Sequence, residues 1–329
     1  MMIEVLLSSP LLTIQDTGRT GWRHLGVPRC GMMDDLALRQ GNLLLGNDEG
    51  AAALEVTSAP VLLRFLHDSA IVLMGADMQA SILGPDLANT RQQRLLTGFV
   101  HLLRAGDCLR LHAAKTPGQR AMLMVRGGID VPLVLGSRST DIMNGFGGLQ
   151  GKALHAGDKI PVGEHSNKPL PLKTGVRQHS WNHTLRVLTG PDFTRFDQRS
   201  CQALFEKSWM VTEQSNRMGL RLQGDSLQPH EPADQPSSRL LSIGVLPGLI
   251  QVPPDGQPIL LAADAQTTGG YPAIASVISA DLWQLAYMTS GTRVRFAKIS
   301  LADAHGLARH QHQQMLRLRD ALRLRGEAA

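Results

Sequence analysis

Cysteine is scarce in this chain. Cys30, Cys108 and Cys201 are the only three, they lie far apart, and they form no CxxC. Such a set argues against a disulfide framework or a zinc ribbon and fits a reducing cytoplasm. Long hydrophobic runs are missing too. No stretch approaches the roughly 18 uninterrupted apolar residues of a membrane span. The N-terminus has no basic segment leading into an apolar one, so no secretory signal is expected. Net charge is small: 33 Lys and Arg against 28 Asp and Glu leave +5, and residues 301–329 hold five of the arginines. The remainder is too diffuse for a dedicated DNA-binding face, so no nucleic-acid partner is expected. The histidines are scattered and no HExxH exists, so no metal ligands are assigned.

What is present is a globular composition, 43% hydrophobic and 19% charged over 329 residues. At about 150 residues per domain, that length suggests two domains. Glycine (33) and proline (18) divide the chain into short apolar runs rich in β-formers. Ile71–Met74, Ala121–Val125, Leu185–Leu188, Leu220–Leu222, Ile259–Leu261 and Thr292–Phe296 read as strands. Tight turns centred on Gly106, Gly157 and Gly291 each precede a further strand. Helices are few: Met33–Leu45, weakened by Gly41, then Phe193–Phe205 and Tyr271–Ala280. In the tail, Leu301, Ala304, Ala308, Gln311, Met315, Leu318 and Leu322 follow a 3–4 spacing. That spacing predicts an amphipathic helix with Met315, Leu318 and Leu322 buried and the arginines (Arg309, Arg317, Arg319, Arg323, Arg325) solvated. A polar stretch at 167–183, with Asn167, Pro169, Pro171 and Gly175, reads as a linker. The expected organisation is a β-rich domain over 1–166, the linker, a second β-rich domain over 184–300, and the helix over 301–329. Two compact barrels are the simplest architecture.

Known nucleotide motifs fail on inspection. In the Gly-rich stretch Asn144–Lys152, Phe146 and Ala153 break a Walker A loop, and Gln150 breaks the dinucleotide fingerprint. The loop is left as either a structural glycine turn or an anion-approaching backbone. Ser137-Arg138-Ser139-Thr140 is either a polar turn or a phosphate or carboxylate cradle with Arg138 as its fork. The densest polar cluster is Asp264-Ala265-Gln266-Thr267-Thr268-Gly269-Gly270-Tyr271, placed after an apolar strand. Strand-end loops display chemistry on a rigid scaffold. Thr267 or Thr268 would also suit the cap of a helix starting near Tyr271. Asn216 and Arg217 suit an anion contact or a surface ion pair. Asp264, Arg217, Thr267 and Tyr271 are the candidate catalytic residues. Asn216, Gln251, Thr268, Gly269, Gly270, Ser137 and Arg138 are the candidate substrate- or nucleotide-binding residues. The 264–271 loop is expected to share one cleft with Asn216, Arg217 and Gln251. Asp264→Asn and Arg217→Lys are expected to cut turnover without lowering the melting temperature.

Several of these segments resemble one family. They are Thr13–Arg19, Gly26-Val27-Pro28, Met33-Asp34, Arg126–Pro132 with Leu135–Thr140, Asn216–Gly219, and Ile250–Pro258 with Asp264–Pro272. Together they resemble the biotin-dependent carboxyltransferase, or allophanate hydrolase subunit 2, family over about residues 3–300. Within it the likeness is to the branch formed by the C subunits of bacterial ATP-dependent 5-oxoprolinases. Cys30 and Met32 stand where the family usually carries Ser and Ala. The resemblance implies two cyclophilin-like β-barrel domains plus the C-terminal helix. It also implies ATP, with Mg, as cofactor, no biotin attached to this chain, and work in a complex with 5-oxoprolinase B-like and A-like partner subunits. The implied reaction opens 5-oxo-L-proline to L-glutamate with ATP hydrolysis. Two rival functions remain at this stage. One is a regulatory module that antagonises a homologous kinase-inhibitor protein. The other is a carboxyltransferase subunit of a urea carboxylase-like system.

Overall fold

The computed structural model describes residues 1–86, 93–115, 119–165, 169–170, 172, 174–230 and 241–327. Of the expected linker, residues 167, 168, 171 and 173 lie outside the described residues. The chain groups into two compact units. The first comprises Met1–Arg19, Cys30–His179 and Gln313–Ala329, the second Thr20–Arg29 and Ser180–His312. The division at 179/180 falls inside the stretch read as a linker. Residues 20–29, read from sequence as part of the first domain, group instead with the second unit, and the C-terminal helix is divided between the two.

In the first unit, two antiparallel sheets enclose one core. One sheet has the order Lys159–Pro161, Met2–Leu7, Val61–Phe65, Cys108–Leu111, Ser81–Leu83, Gln93–Arg94. The other runs Leu12–Gln15, Ala53–Val56, Ala121–Val125, Ser69–Gly75, Val100–Leu103. Side-chain alternation explains the layering. Along Ala121–Val125, which is buried throughout, Ala121, Leu123 and Val125 join the core between the sheets, with Ile3, Leu63 and Leu109. Met122 and Met124 face the other way, into a second cluster with Leu38 and Leu44 of α1 (Asp35–Leu44). Asp34 caps α1 by accepting from the Ala37 N–H at 2.8 Å. Gly41 belongs there for close packing: a Cβ would fall 1.9 Å from the Met124 methyl.

The second unit is a closed barrel. Its order is Thr184–Thr189, Ala273–Val277, Leu249–Gln251, Ile259–Leu261, Gly219–Gln223, Trp209–Val211, Arg293–Lys298. The ring closes by a parallel pairing of its first and last strands in the chain, Thr184–Thr189 with Arg293–Lys298. Trp209, fully buried, donates its indole N–H to the Leu204 carbonyl of α2 (Gln198–Glu206) at 3.2 Å. Asp281 is fully buried and holds Arg186 in a two-pronged ion pair.

The chain is mainly β, as the punctuated sequence implies. Ala121–Val125 and Ile259–Leu261 have the boundaries that their apolar runs give. Gly106, Gly157 and Gly291 all have positive φ. One expectation is corrected. Tyr271–Ala280 is not a helix: Ala273–Val277 is a barrel strand, followed by a 3-10 segment over Ser279–Tyr287. A short apolar run has no intrinsic period to separate the two, and pairing with strands on both sides decides for the sheet. The tail forms α3 (Leu301–Glu327). Met315 is buried, whereas Leu318 and Leu322 are only half-buried. Leu322 packs on the cluster around Met122, and Arg309, Arg317, Arg319 and Arg323 are exposed. The side chain of Arg325 lies outside the described residues. No described helix is long and apolar enough to cross a membrane.

Candidate functional site

The barrel strand Ile259–Leu261 ends where Gly219 pairs with Leu261. This register brings the hairpin entry Asn216–Met218 alongside the start of the 262–272 loop. The Asn216 carboxamide oxygen accepts from the N–H groups of Met218 (2.8 Å) and Gly219 (3.3 Å), a local turn that sets Arg217 in place. Arg217 Nε and Nη2 then donate to the two carboxylate oxygens of Asp264, each at 2.8 Å. The Asp264 N–H donates to the Arg217 carbonyl at 2.9 Å, so side chain and backbone clasp together. Arg217 is buried and Asp264 half-buried, with side-chain exposures of 6% and 14%. It is a bidentate fork, the geometry that distinguishes Arg from Lys.

Farther along the loop a second group forms. Gln251, 2% exposed, donates from Nε2 to the Tyr271 carbonyl at 2.9 Å. Thr268–Gly269 pairs with Ile243–Gly244 as a two-stranded ribbon. At Gly269 a Cβ would stand 2.8 Å from Gln251 Nε2, so a larger residue there makes the Gln251 carboxamide shift. Thr268 and Tyr271 present exposed side chains, and the Thr267 carbonyl accepts from the Val245 N–H at 3.0 Å. With no helix after Tyr271, the capping role considered for Thr267 and Thr268 does not arise.

The structure thus joins Arg217 to Asp264, and Gln251 to Tyr271 and Gly269. Both groups lie along one loop. Gln251 pairs with Ile259 while Gly219 pairs with Leu261, which separates the two levels by about 7 Å along the ladder. A groove of about 720 Å³ opens elsewhere on the barrel wall, bordered by Glu213, Arg221, Asp255, Ile259 and Ser290. None of the sequence-predicted site residues lines it.

Ser137 and Arg138 belong to the first unit, where the segment read as either a polar turn or an anion cradle does surround an anion, though without the Arg138 guanidinium as its fork. That anion is the chain's own Asp16 carboxylate. That carboxylate accepts from the Ser137 and Ser139 hydroxyls and the Arg138 N–H, each at 2.6 Å, and from the Gly18 N–H at 2.8 Å. The Arg138 guanidinium pairs with Asp130 at 2.6 Å. The Gly-rich loop closes on protein as well. Arg19, 1% exposed, donates to the carbonyls of Val134 and Ser139, and its guanidinium lies 4.7 Å from the centre of the Phe146 ring. Cys30 is buried at φ 55°, beside Gly31, which is packed against Gly18.

These contacts test the expected nucleotide. The anion cradle at 137–139 holds Asp16, and the Arg217 fork holds Asp264. Neither group fits a phosphate as it stands. Among the described residues, no three His, Cys, Asp or Glu side chains stand together to hold a metal ion.

Sequence reasoning missed Asp16 as the filler of the cradle, and it missed Arg23. Arg23 Nη2 donates to the carbonyls of Val245 and Gln266, and Nη1 to that of Ala265 at 3.5 Å. Its only sequence signal is its place between the glycines of a motif-bearing N-terminal segment.

The family model for the carboxyltransferase domain, subdomains A and B, matches residues 25–298. The chain belongs to the carboxyltransferase family. Among its relatives in that family is the 5-oxoprolinase C subunit of Escherichia coli (strain K12). The two are 40% identical over 99% of this chain and 100% of the relative. The 5-oxoprolinase C subunit of Haemophilus influenzae is 38% identical, covering 94% of each chain. The solved K. lactis urea amidolyase has the same fold, with a TM-score of 0.85 at 27% identity. That match covers 96% of this chain and 20% of the amidolyase, so the chain spans about a fifth of that enzyme.

Proposed function

We propose that this carboxyltransferase-family chain is the C subunit of a cytoplasmic, ATP-dependent 5-oxoprolinase. Together with a homologous B subunit, and with an A subunit, it converts 5-oxo-L-proline, ATP and water into L-glutamate, ADP and phosphate. The observation that carries the reading is coextension. The C subunit of the E. coli 5-oxoprolinase aligns over its whole length with 99% of this chain.

A five-membered lactam is a stable amide, and ATP supplies the driving force for opening it. Because both candidate cradles are filled by the chain's own carboxylates, the proposal gives ATP and its Mg to the assembled complex and not to these two clusters. Opening the lactam develops charge on its carbonyl oxygen, which positioned donors stabilise. Thr268 and Tyr271 carry exposed hydroxyls suited to that role, with Thr267 beside them. Arg217 and Asp264 act as positioning residues that lock the loop's entry, and Gln251 locks its exit. Gly269 and Gly270 let the backbone pass close to a ligand.

The test is ATP-dependent glutamate release from 5-oxoproline by the three co-purified subunits, with each subunit omitted in turn. Turnover that requires this chain supports the proposal. Turnover undiminished without it, or a chain that purifies alone and opens 5-oxoproline unaided, refutes the assignment. The likeness to the urea amidolyase favours a second reading, transfer of a carboxyl group from biotin. A biotin-dependent carboxyl transfer that persists when 5-oxoproline turnover is absent would favour it.

A further inference from the structure

We propose that Arg23 is the positioning residue of the 262–272 loop, holding it in its working shape from a segment far away in sequence. The inference rests on the proposed function only for its effect on turnover; the geometry stands by itself. The carbonyl oxygens of Val245, Ala265 and Gln266 all accept from this one guanidinium. Carbonyl dipoles that converge repel one another, and the Val245 and Ala265 carbonyls, partly turned from water, would be costly without a donor, while the bond to Gln266 is exposed. A planar cation with several N–H donors in a fixed fork satisfies all three at once. These carbonyls occupy the two chains that frame the exposed part of the site. Val245 follows the strand Ile243–Gly244, which pairs with Thr268–Gly269, and its N–H donates to Thr267. Ala265 is fully buried against Val245 and Leu261. Asp264 and Thr267 flank the two gripped loop residues. Arg217 therefore holds the loop at Asp264, Arg23 at 265–266 and Gln251 at the Tyr271 carbonyl, and the Thr268 and Tyr271 side chains are displayed on a loop fixed at these points.

Chemical rescue provides the test, because it separates a specific guanidinium site from general weakening. Arg23→Ala, in the full chain with its partner subunits, is expected to lower kcat for 5-oxoproline at least tenfold with a smaller change in KM. In the isolated chain, exchange of the Val245 amide hydrogen is expected to quicken. Millimolar guanidinium chloride is expected to reverse both effects, where ammonium chloride at equal concentration does not. Arg23→Lys keeps the charge but not the fork. It is expected to show the same quickened exchange, and it serves if the alanine variant fails to fold. Unchanged Val245 exchange in both variants, or rescue by ammonium as complete as by guanidinium, overturns the proposal. If the wild-type complex opens no 5-oxoproline, the functional reading fails instead, while the exchange and rescue measurements still decide the role of Arg23.

Discussion

Replacing Asp264 by Asn tests the most specific contact in the site, and the geometry sets its size. The carboxylate receives two parallel N–H bonds at 2.8 Å from a guanidinium whose side chain is 6% exposed. An amide in its place has one oxygen and one NH2 group, so one guanidinium N–H must face another donor. The charge of Arg217 also loses its partner. Removing one member of a buried pair costs about 3–5 kcal/mol. The pair retains a little solvent access, so about 3 kcal/mol is expected. A unit of this size moves by about 2–4 °C per kcal/mol, which places the melting temperature about 6–12 °C lower. Arg217→Lys keeps the charge and loses one of two charge-assisted bonds, for about 1.5 kcal/mol. The paired change to Arg217→Met with Asp264→Leu removes both charges and should recover most of the loss. The assay is urea denaturation of wild type, Arg217→Met, Asp264→Leu and the paired variant as a double-mutant cycle, with Asp264→Asn and Arg217→Lys measured beside them. The expectation of an untouched melting temperature, drawn from sequence, is replaced by this one. If Asp264→Asn lies within about 0.5 kcal/mol of wild type, or if the single costs simply add in the double variant, the pair is not coupled and the reasoning fails.

Three further outcomes are expected. Asp16→Ala strands the two hydroxyls and two N–H groups that point at its carboxylate, and should lower the denaturation free energy of the first unit by about 3 kcal/mol or more; a loss below about 1 kcal/mol would refute the cradle. Gly147→Ala should cost about 3 kcal/mol or more, because its Cβ would fall 2.1 Å from the Ser139 carbonyl oxygen at φ +70°. At Gly145, which has the same φ but no atom within 4 Å, alanine should cost only about 1 kcal/mol, and equal midpoints for the two variants would argue against the packing. Asp197 caps α2, and hydrogen bonds from the Ser200 N–H and hydroxyl hold its carboxyl below the ordinary value of 3.8. A depressed carboxyl pKa adds stability above the unfolded value and loses it as pH falls through the folded one. Asp197→Ala should therefore cost about 1 kcal/mol at neutral pH, and the gap from wild type should close below pH 3.8. A gap constant with pH would show that the cap is not a charge effect.

Much of the local structure is legible in the sequence. Gly106, Gly157 and Gly291 announce their turns because only glycine enters positive φ without strain. The helices read at Met33–Leu45 and Phe193–Phe205 start later than that, at Asp35 and Gln198, where the Asp34 and Asp197 side chains satisfy orphan N–H groups of the first turn. The polar loop after Ile259–Leu261 is visible as a break in an apolar run, and its motif points to the family. These signals lie within a few residues of what they determine. The helix read at Tyr271–Ala280 fails for the converse reason: its state is decided by neighbours at Leu249–Gln251 and Thr184–Thr189, which no local window contains.

The sequence by itself determined the β-rich class, the punctuation, the family and the identity of the polar residues worth testing. Tertiary structure alone decided who their partners are. Ser137–Ser139 has the composition of an anion cradle, and only folding shows that Asp16, more than a hundred residues earlier, fills it. Arg217 reads equally as a ligand fork or a surface pair until the register Gly219–Leu261 sets it against Asp264. Arg23 has no sequence neighbour to betray it, because its acceptors at Val245, Ala265 and Gln266 are backbone carbonyls, which every residue carries. A charged or polar side chain declares what it is able to bind. Which group reaches it first, ligand or protein, depends on long-range pairing that sets distances in space and leaves no mark on spacing along the chain.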